Sequence, residues 1–135
     1  MRQLWIRRTS LVGLAVLIAL GGCHPAKTPV ATEADVAAAQ EDAQKELGQA
    51  KAEAKKDVKS AAKVAGADSR EAAQARVTGA FDIVMAQADG AHKVAIEKCM
   101  LLQPAAQQPC KNQADADYQT AAANAKAARV AKQQQ

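Results

Sequence analysis

The most regular pattern in the chain is an eleven-residue repeat over residues 35–78, which reads DVAAAQEDAQK, ELGQAKAEAKK, DVKSAAKVAGA and DSREAAQARVT. In the first three units apolar residues, mostly alanine, recur at the second, fifth and ninth positions and therefore share one narrow helix face. In the fourth unit Ser69 and Arg76 interrupt this pattern at the second and ninth positions. Thr32 precedes the acidic residues Glu33 and Asp35, which is typical of a helix N-cap. We predict a helix over residues 33–65, about 50 Å long at 1.5 Å per residue. Its narrow stripe needs a partner, either the rest of the chain, another copy or a membrane surface.

A second apolar stripe follows an expected interruption at residues 66–69. Asp68, with Glu71 three residues later, is typical of a new helix start. The stripe then recurs in steps of three and four residues, as in a heptad seam, at Val77, Phe81, Val84, Ala88, Ala91, Ala95, Cys99 and Leu102. Gly79 and Gly90 each cost about 1 kcal/mol relative to Ala. Because the stripe keeps its phase across Gly90, we predict one continuous helix to Gln103.

Two prolines mark the end of the second stripe. Pro104 is expected to stop the helix, and Pro109 directly precedes Cys110. We therefore predict that the intervening AAQQ is a loop. A last helix is predicted from about Cys110 to Lys132, with its stripe at Cys110, Ala114, Tyr118, Ala121, Ala125 and Ala128.

The N-terminal segment has the three zones of an export signal. Three arginines come first, and residues 11–20 form an apolar run that is too short to span a bilayer of about 30 Å. Leu20-Gly21-Gly22-Cys23 then resembles the lipobox of bacterial lipoproteins. The resemblance implies removal of residues 1–22, a diacylglycerol and a third acyl chain on Cys23, and durable membrane anchoring. The alternative is an ordinary secretory signal with an incidental cysteine.

The resemblance to bacterial lipoproteins also implies a location for the protein and a different net charge for the mature chain. In enteric lipoproteins an Asp after the cysteine favours inner-membrane retention, so His24 implies the periplasmic face of the outer membrane. Removing 22 of the 135 residues leaves 113, and the loss of three arginines leaves 15 basic against 14 acidic groups. The formal charge of +4 therefore belongs mainly to the leader. A near-neutral chain with two aromatic residues, Phe81 and Tyr118, gives no reason to expect a nucleic-acid partner.

The three cysteines fall into two groups if Cys23 carries lipid, because Cys99 and Cys110 then remain as one pair. In the oxidising periplasm a disulfide is the default, and it would contribute roughly 3 kcal/mol in the chain-entropy picture. A redox-active pair and a metal site are the alternatives. The pair lacks the C-x-x-C spacing of redox proteins, and a metal site would need His24 or His92 as further ligands.

Joining Cys99 to Cys110 sets the register of an antiparallel helical hairpin over residues 68–132. Ala95 then faces Ala114, and Tyr118 falls near Ala91 and His92. Phe81 and Val84 fall against Ala128 and Ala125, so that large residues meet small ones. The predicted fold is all-α: a long alanine-rich helix (residues 32–66) plus this disulfide-closed hairpin, joined to Cys23 by a tether at residues 23–31 that contains two prolines.

Chemistry-bearing residues are few in this composition. Aromatic residues make up 2% of the chain, and 35 alanines supply about half of its 49% hydrophobic fraction, so a deep aromatic-lined pocket is not expected. The mature serines, Ser60 and Ser69, have no histidine nearby in sequence, and no P-loop, G-x-G-x-x-G or H-E-x-x-H motif is present. His92 is expected to cover Tyr118 or to face water, and Asp89, three residues earlier, is available for a surface ion pair. We predict no catalytic residues, no metal ligands and no cofactor.

Three further resemblances concern the mature chain. The repeat is similar to those of late-embryogenesis-abundant proteins and exchangeable apolipoproteins. Residues 88–128 resemble small alanine-rich periplasmic (TolA-like) helical-hairpin proteins, which implies no activity. Murein lipoprotein is likewise lipid-anchored and helical, but it joins peptidoglycan through a C-terminal Lys, whereas Lys132 here is followed by three Gln.

These observations predict a non-enzymatic, lipid-anchored cell-envelope protein with a structural or interaction role in the periplasm. Its expected partners are the membrane, through Cys23, and an envelope protein or peptidoglycan. A stress-protective or chaperone-like protein that acts at membrane surfaces through the repeat is the first alternative. A ligand- or metal-binding lipoprotein is the second.

Overall fold

A computed structural model describes residues 31–134, and the leader and the lipidation residue Cys23 lie outside this range. The described part consists of three helices, α1 (Glu33–Ala65), α2 (Arg70–Met100) and α3 (Pro104–Gln133). No strand occurs within these residues. The all-α prediction, with a long first helix and a disulfide-closed hairpin, is confirmed.

Helix α1 has the predicted start and end. The Thr32 hydroxyl accepts a hydrogen bond from the Asp35 backbone N–H at 3.4 Å, and the Asp35 carboxylate accepts one from the Thr32 N–H at 2.6 Å. This capping box lowers the pKa of Asp35, first through the Thr32 N–H and then through the Thr32 hydroxyl. At the other end Gly66 takes a φ of 93°, a left-handed conformation that favours glycine and turns the chain toward α2.

The repeat stripe of α1 packs against α2. Residues of this stripe are half-buried along the helix, namely Val36, Ala39, Ala43, Leu47, Ala50, Ala54, Val58 and Ala61. A Cβ built on Gly79 would lie 2.6 Å from the Ala54 Cβ, and one built on Gly90 would lie 2.7 Å from the Ala43 Cβ. The two glycines are eleven residues apart, as are the two alanines, so the repeat on α1 matches the glycine spacing on α2. The stripe thus finds its partner within the chain.

Helices α2 and α3 form the second antiparallel pair. Cys99 and Cys110 are joined by a disulfide, with their Cα atoms 5.5 Å apart. Buried alanines lie between the two helices, with Ala88 on α2 and Ala114 and Ala125 on α3. The predicted register is confirmed for Tyr118, whose ring centroid lies 5.1 Å from that of His92. Phe81 and Val84 line the same groove as Ala125 and Ala128, also as predicted.

The turn between α2 and α3 is shorter than predicted. Helix α2 ends at Met100 rather than Gln103, and α3 begins at Pro104 rather than Cys110, so AAQQ is helical and not a loop. Pro104 suits the first turn because its missing N–H has no helical partner there. The Gln107 amide then donates to the Met100 and Leu102 carbonyls at 3.2 and 3.0 Å, which fixes this turn onto the end of α2. Pro109 lies inside α3, where one backbone N–H is missing from the helical ladder.

The start of α2 also differs from the prediction by one residue. Ser69, not Asp68, is the N-cap, and its hydroxyl accepts a hydrogen bond from the Ala72 N–H at 3.1 Å. Arg76 reaches back to donate to the Ala67 carbonyl at 2.8 Å, which ties the turn to the first part of α2.

Helix α2 is the middle helix of a single layer. It packs against both α1 and α3, which do not contact each other within residues 31–134. Its buried residues consequently lie on two faces, one toward α1 and one toward α3. They include Ala72, Gly79 and Gly90, which lie outside the predicted stripe. Val84, Ala91 and Leu102 of that stripe are instead exposed. None of the helices in this layer is long and apolar enough to cross a membrane.

Candidate functional site

The layer of three helices has two distinct ends, and the segment that follows the predicted lipidation residue Cys23 leads into one of them. The antiparallel pairing puts Thr32, Met100 and Pro104 at one end, here called the disulfide end, and Gly66, Arg70 and Gln133 at the other, the Gly66 end. The chain from Cys23 reaches the fold at Thr32 and therefore at the disulfide end. Cys23 itself lies outside the described residues, so its acylation stays a prediction.

The cysteine pair is structural in its setting. Cys99 is 1% exposed and is joined to Cys110, so neither sulfur is a free thiolate in this state. His92, one of the two histidines that a metal site would need, has its Nε2 2.7 Å from an oxygen of Asp115, and the other, His24, lies outside the described residues. Over residues 31–134, no group of three His, Cys, Asp or Glu side chains is placed to hold a metal ion.

Four polar side chains form a cluster across the α2–α3 pair, in the half nearest the disulfide end: Asp89, His92, Asp115 and Tyr118. His92 pairs with Asp115 of α3 and not with Asp89 of its own helix, because the neighbouring helix supplies the nearer carboxylate. Asp89 instead raises the pKa of Tyr118, first through hydrogen bonding with the phenol and then through its charge. The contact between His92 and Tyr118 is confirmed, and the cluster acts as a polar clasp between the two helices.

One ion pair links the first helix to the second. The Lys93 ammonium lies 2.6 and 2.8 Å from the two carboxylate oxygens of Glu46, and both side chains are about half exposed. The hydrogen bond to Glu46 raises the pKa of Lys93, and the nearby charges of Asp89 and Asp42 act in the same direction. This ion pair adds a specific polar contact between α1 and α2, whose facing stripe on α1 is otherwise apolar.

A groove of about 390 Å³ opens between α2 and α3 toward the Gly66 end. Its wall on α2 consists of Val77, Ala80, Phe81 and Val84. Its wall on α3 consists of three alanines together with Asn124, Arg129 and Lys132. The guanidinium carbon of Arg129 lies 5.0 Å from the centre of the Phe81 ring, a cation–π distance, and Lys132 lies one turn further along. We call this feature the Arg129 groove. Its residues were predicted as a packed seam, so the space between them was missed.

The amino-acid sequence contains only a weak indication of the groove. Arg129 follows Ala125 by four residues and Lys132 follows Ala128 by four, so both cations continue the alanine stripe of α3 on the same helix face. The stripe itself pairs alanines with only three larger residues on α2. Small side chains on one wall leave space that a sequence pattern cannot measure.

The serine Ser69 lies far from His92 along the layer. Ser69 caps α2 at the Gly66 end, and 23 residues of helix, about 35 Å at 1.5 Å per residue, separate it from His92. The His92–Asp115 pair therefore acts as a helix-to-helix contact and has no serine beside it. Chemically, the arrangement offers binding surfaces: an apolar groove with two cations and a polar clasp.

No protein-family model, no curated protein and no solved structure matches this chain.

Proposed function

We propose that this protein is a non-enzymatic, lipid-anchored component of the bacterial cell envelope that acts as a spacer or interaction rod in the periplasm. The observation that carries the proposal is the lipobox Leu20-Gly21-Gly22-Cys23, followed by a tether of eight residues and then a helix start fixed by a capping box. A lipid anchor, a short tether and a folded rod then follow one another along the chain.

The shape of the described residues supports a spacing role. Each helix has 30 to 33 residues and is therefore about 45 to 50 Å long at 1.5 Å per residue. Because the tether joins the disulfide end, the Gly66 end would stand furthest from the membrane. A layer of three long helices also presents much surface for its mass, which suits protein contact.

The exposed face of α1 offers one such surface. Lys51, Lys55, Lys59 and Lys63 follow one another at four-residue intervals in the half of α1 nearest the Gly66 end, and all four are exposed. Residues spaced by four lie on one helix face. In the envelope this stripe would attract an anionic polymer or an acidic protein surface.

The alternative in which the repeat folds onto a membrane surface is weakened by the packing of α1. Its stripe is half-buried against α2, with Ala43 and Ala54 closely opposed to glycines. An exchangeable apolipoprotein-like role would require this seam to open first. We therefore favour the spacer or interaction role.

Mass spectrometry of the protein purified from bacterial envelopes tests the anchor. We expect an N-terminus at Cys23 that carries two or three acyl chains, and their loss in Cys23→Ser. The Cys99→Ser/Cys110→Ser double variant is the matched control, because it removes the other two cysteines and should remain acylated. A mature protein that retains residues 1–22, or an unacylated Cys23, would overturn the proposal.

Photocrosslinking in intact cells tests the interaction role. A crosslinking amino acid at position 59 probes the far half of α1, and one at position 98 probes the disulfide end. We expect a discrete protein or cell-wall adduct from position 59 and none of the same mass from position 98. The absence of adducts from position 59, with the protein acylated and folded, would argue against a partner at the far end.

A further inference from the structure

The Arg129 groove has the features of a binding site for an amphipathic ligand. We propose that it binds a single-chain anionic amphiphile, with the alkyl chain between α2 and α3 and the carboxylate or phosphate head at Arg129 and Lys132. This inference goes beyond the anchoring and spacing roles and does not depend on acylation of Cys23.

The apolar part of the groove fits one alkyl chain. Its volume of about 390 Å³ lies at the lower end of the range for ligand sites, roughly 300 to 1,000 Å³. Val77, Phe81 and Val84 supply one wall, and Val84 is 43% exposed although it faces this space. An alkyl chain would cover this surface, and such burial is favourable in proportion to the apolar area removed from water.

The charge of the groove selects the head group. Its ten lining residues include Arg129 and Lys132 and no acidic residue. Within the described part of the chain, neither cation forms an ion pair, whereas Lys93 and His92 each do. The contact with Phe81 holds the Arg129 guanidinium beside the apolar wall, where it can donate charge-assisted hydrogen bonds to an anion. An alkyl ammonium would meet repulsion at the same place.

The position of the groove allows the ligand to enter. The disulfide closes the α2–α3 pair at the opposite end, and Phe81 lies 18 residues, about 27 Å of helix, from Cys99. At the groove α3 packs against α2 alone, since α1 does not contact α3 within residues 31–134. A small outward movement of this end of α3 would therefore admit a chain without disturbing the α1–α2 pair.

Photoaffinity labelling tests the proposal on the full-length protein held in phosphatidylcholine nanodiscs. The probe is dodecanoic acid with a diazirine in its chain, and adducts are mapped by mass spectrometry. We expect adducts within residues 77–84 and 121–132, and competition by unlabelled dodecanoate but not by dodecylamine. A second arm with lysophosphatidylglycerol distinguishes the sources: stronger competition by this lipid identifies a phosphate head, and stronger competition by dodecanoate a carboxylate head.

Matched variants separate the two parts of the site. Ala128→Phe places a large side chain in the groove at an exposed position, and Arg129→Gln/Lys132→Gln removes both cations. Each should lower labelling about tenfold, the size expected for loss of a charge-assisted hydrogen bond or of comparable apolar contact. Lys126→Gln removes an exposed charge of α3 that does not line the groove and should leave labelling unchanged.

Several results would overturn the proposal: adducts spread evenly over the three helices, equal competition by dodecylamine, or labelling that survives the loss of both cations. Circular dichroism checks that each variant remains helical. If Ala128→Phe fails to fold, the Arg129→Gln/Lys132→Gln variant decides alone, because both changes are at side chains that extend from the surface of α3.

Discussion

The two helix pairs of this protein, α1–α2 and α2–α3, are both rich in alanine but are held together in different ways. Alanine buries little apolar area, so helices rich in alanine gain little from ordinary side-chain packing. In the α1–α2 pair the helices approach closely. Ala54 lies against Gly79 and Ala43 against Gly90, with no room for a further methyl group at either glycine. The α2–α3 pair combines a few large side chains, a polar clasp and the Cys99–Cys110 disulfide, and it retains an open groove.

The placement of small residues decides how closely two neighbouring helices approach each other. Where glycine faces alanine, the backbones themselves come into contact and gain dispersion energy. Where alanine faces Phe81 or Val84, the larger residue sets the spacing and its neighbours leave space. We call α1–α2 the close pair and α2–α3 the open pair. Among the described residues, the disulfide joins the helices of the open pair.

Removal of the disulfide should have the largest effect and should act on one pair only. Closing a loop of about a dozen residues contributes roughly 3 kcal/mol in the chain-entropy picture. In Cys99→Ser/Cys110→Ser we expect the free energy of unfolding to fall by about this amount, and hydrogen exchange to accelerate in α3 while α1 stays protected. Cys23→Ser is the control, since Cys23 is outside this pair. Equal loss of protection in α1 and α3 would contradict the division into two seams.

Filling the close seam should have the next largest effect. Gly79→Ala brings a Cβ within 2.6 Å of the Ala54 Cβ, and overpacking of this kind costs about 1 to 3 kcal/mol. The gain in helix propensity, about 1 kcal/mol, offsets part of it. We therefore expect the free energy of unfolding, measured by chemical denaturation, to fall by up to about 2 kcal/mol.

The matched control for this change is Gly48→Ala in α1. A Cβ at Gly48 meets nothing within 4 Å, so the same substitution should stabilise the protein by about 1 kcal/mol. Adding Ala54→Gly to Gly79→Ala should restore much of the loss, which a double-mutant cycle measures. Stabilisation by Gly79→Ala would show that the seam is looser than described.

The polar clasp of the open pair can be followed through Tyr118, the sole tyrosine of the chain. Its pKa is raised by the hydrogen bond to Asp89, so Asp89→Asn should lower that pKa toward the usual 10.0 in an absorbance titration of the phenol. Because the folded pKa is the higher one, this contact stabilises the fold below the unfolded pKa, and the contribution is lost as the pH rises through the folded pKa. Asp82→Asn, on the same helix, should leave the titration unchanged.

The ion pair of the close seam should have the smallest effect. Lys93 has a raised pKa because of Glu46, so its contribution is present below the unfolded pKa and disappears as the pH rises through the folded one. Lys93→Gln should slightly lower the melting temperature near neutral pH, and the difference from the parent protein should vanish in strong alkali. Lys98→Gln is the exposed control. A difference that persists after deprotonation would assign the effect to packing of the lysine stem.

Much of the fold followed from local sequence signals, but the roles of some residues did not. The eleven-residue spacing predicted α1, and the cysteine pair predicted the register of α2 and α3 together with the contact of His92 and Tyr118. The prediction of a loop at AAQQ is wrong, because a proline both ends a preceding helix and suits the first turn of the next one. Pro104 instead begins α3, and Gln107 binds the carbonyls at the end of α2.

The sequence by itself determined the helices, most of their ends and the covalent pair, because periodicity, capping and proline act over a few residues. Tertiary structure alone decided that α2 is the middle helix, that His92 pairs with Asp115, and that a groove opens beside Arg129. The glycines show the reason most clearly. Along the chain Gly79 and Gly90 weaken a helix, and only the approach of Ala54 and Ala43 from α1 makes the missing side chain necessary.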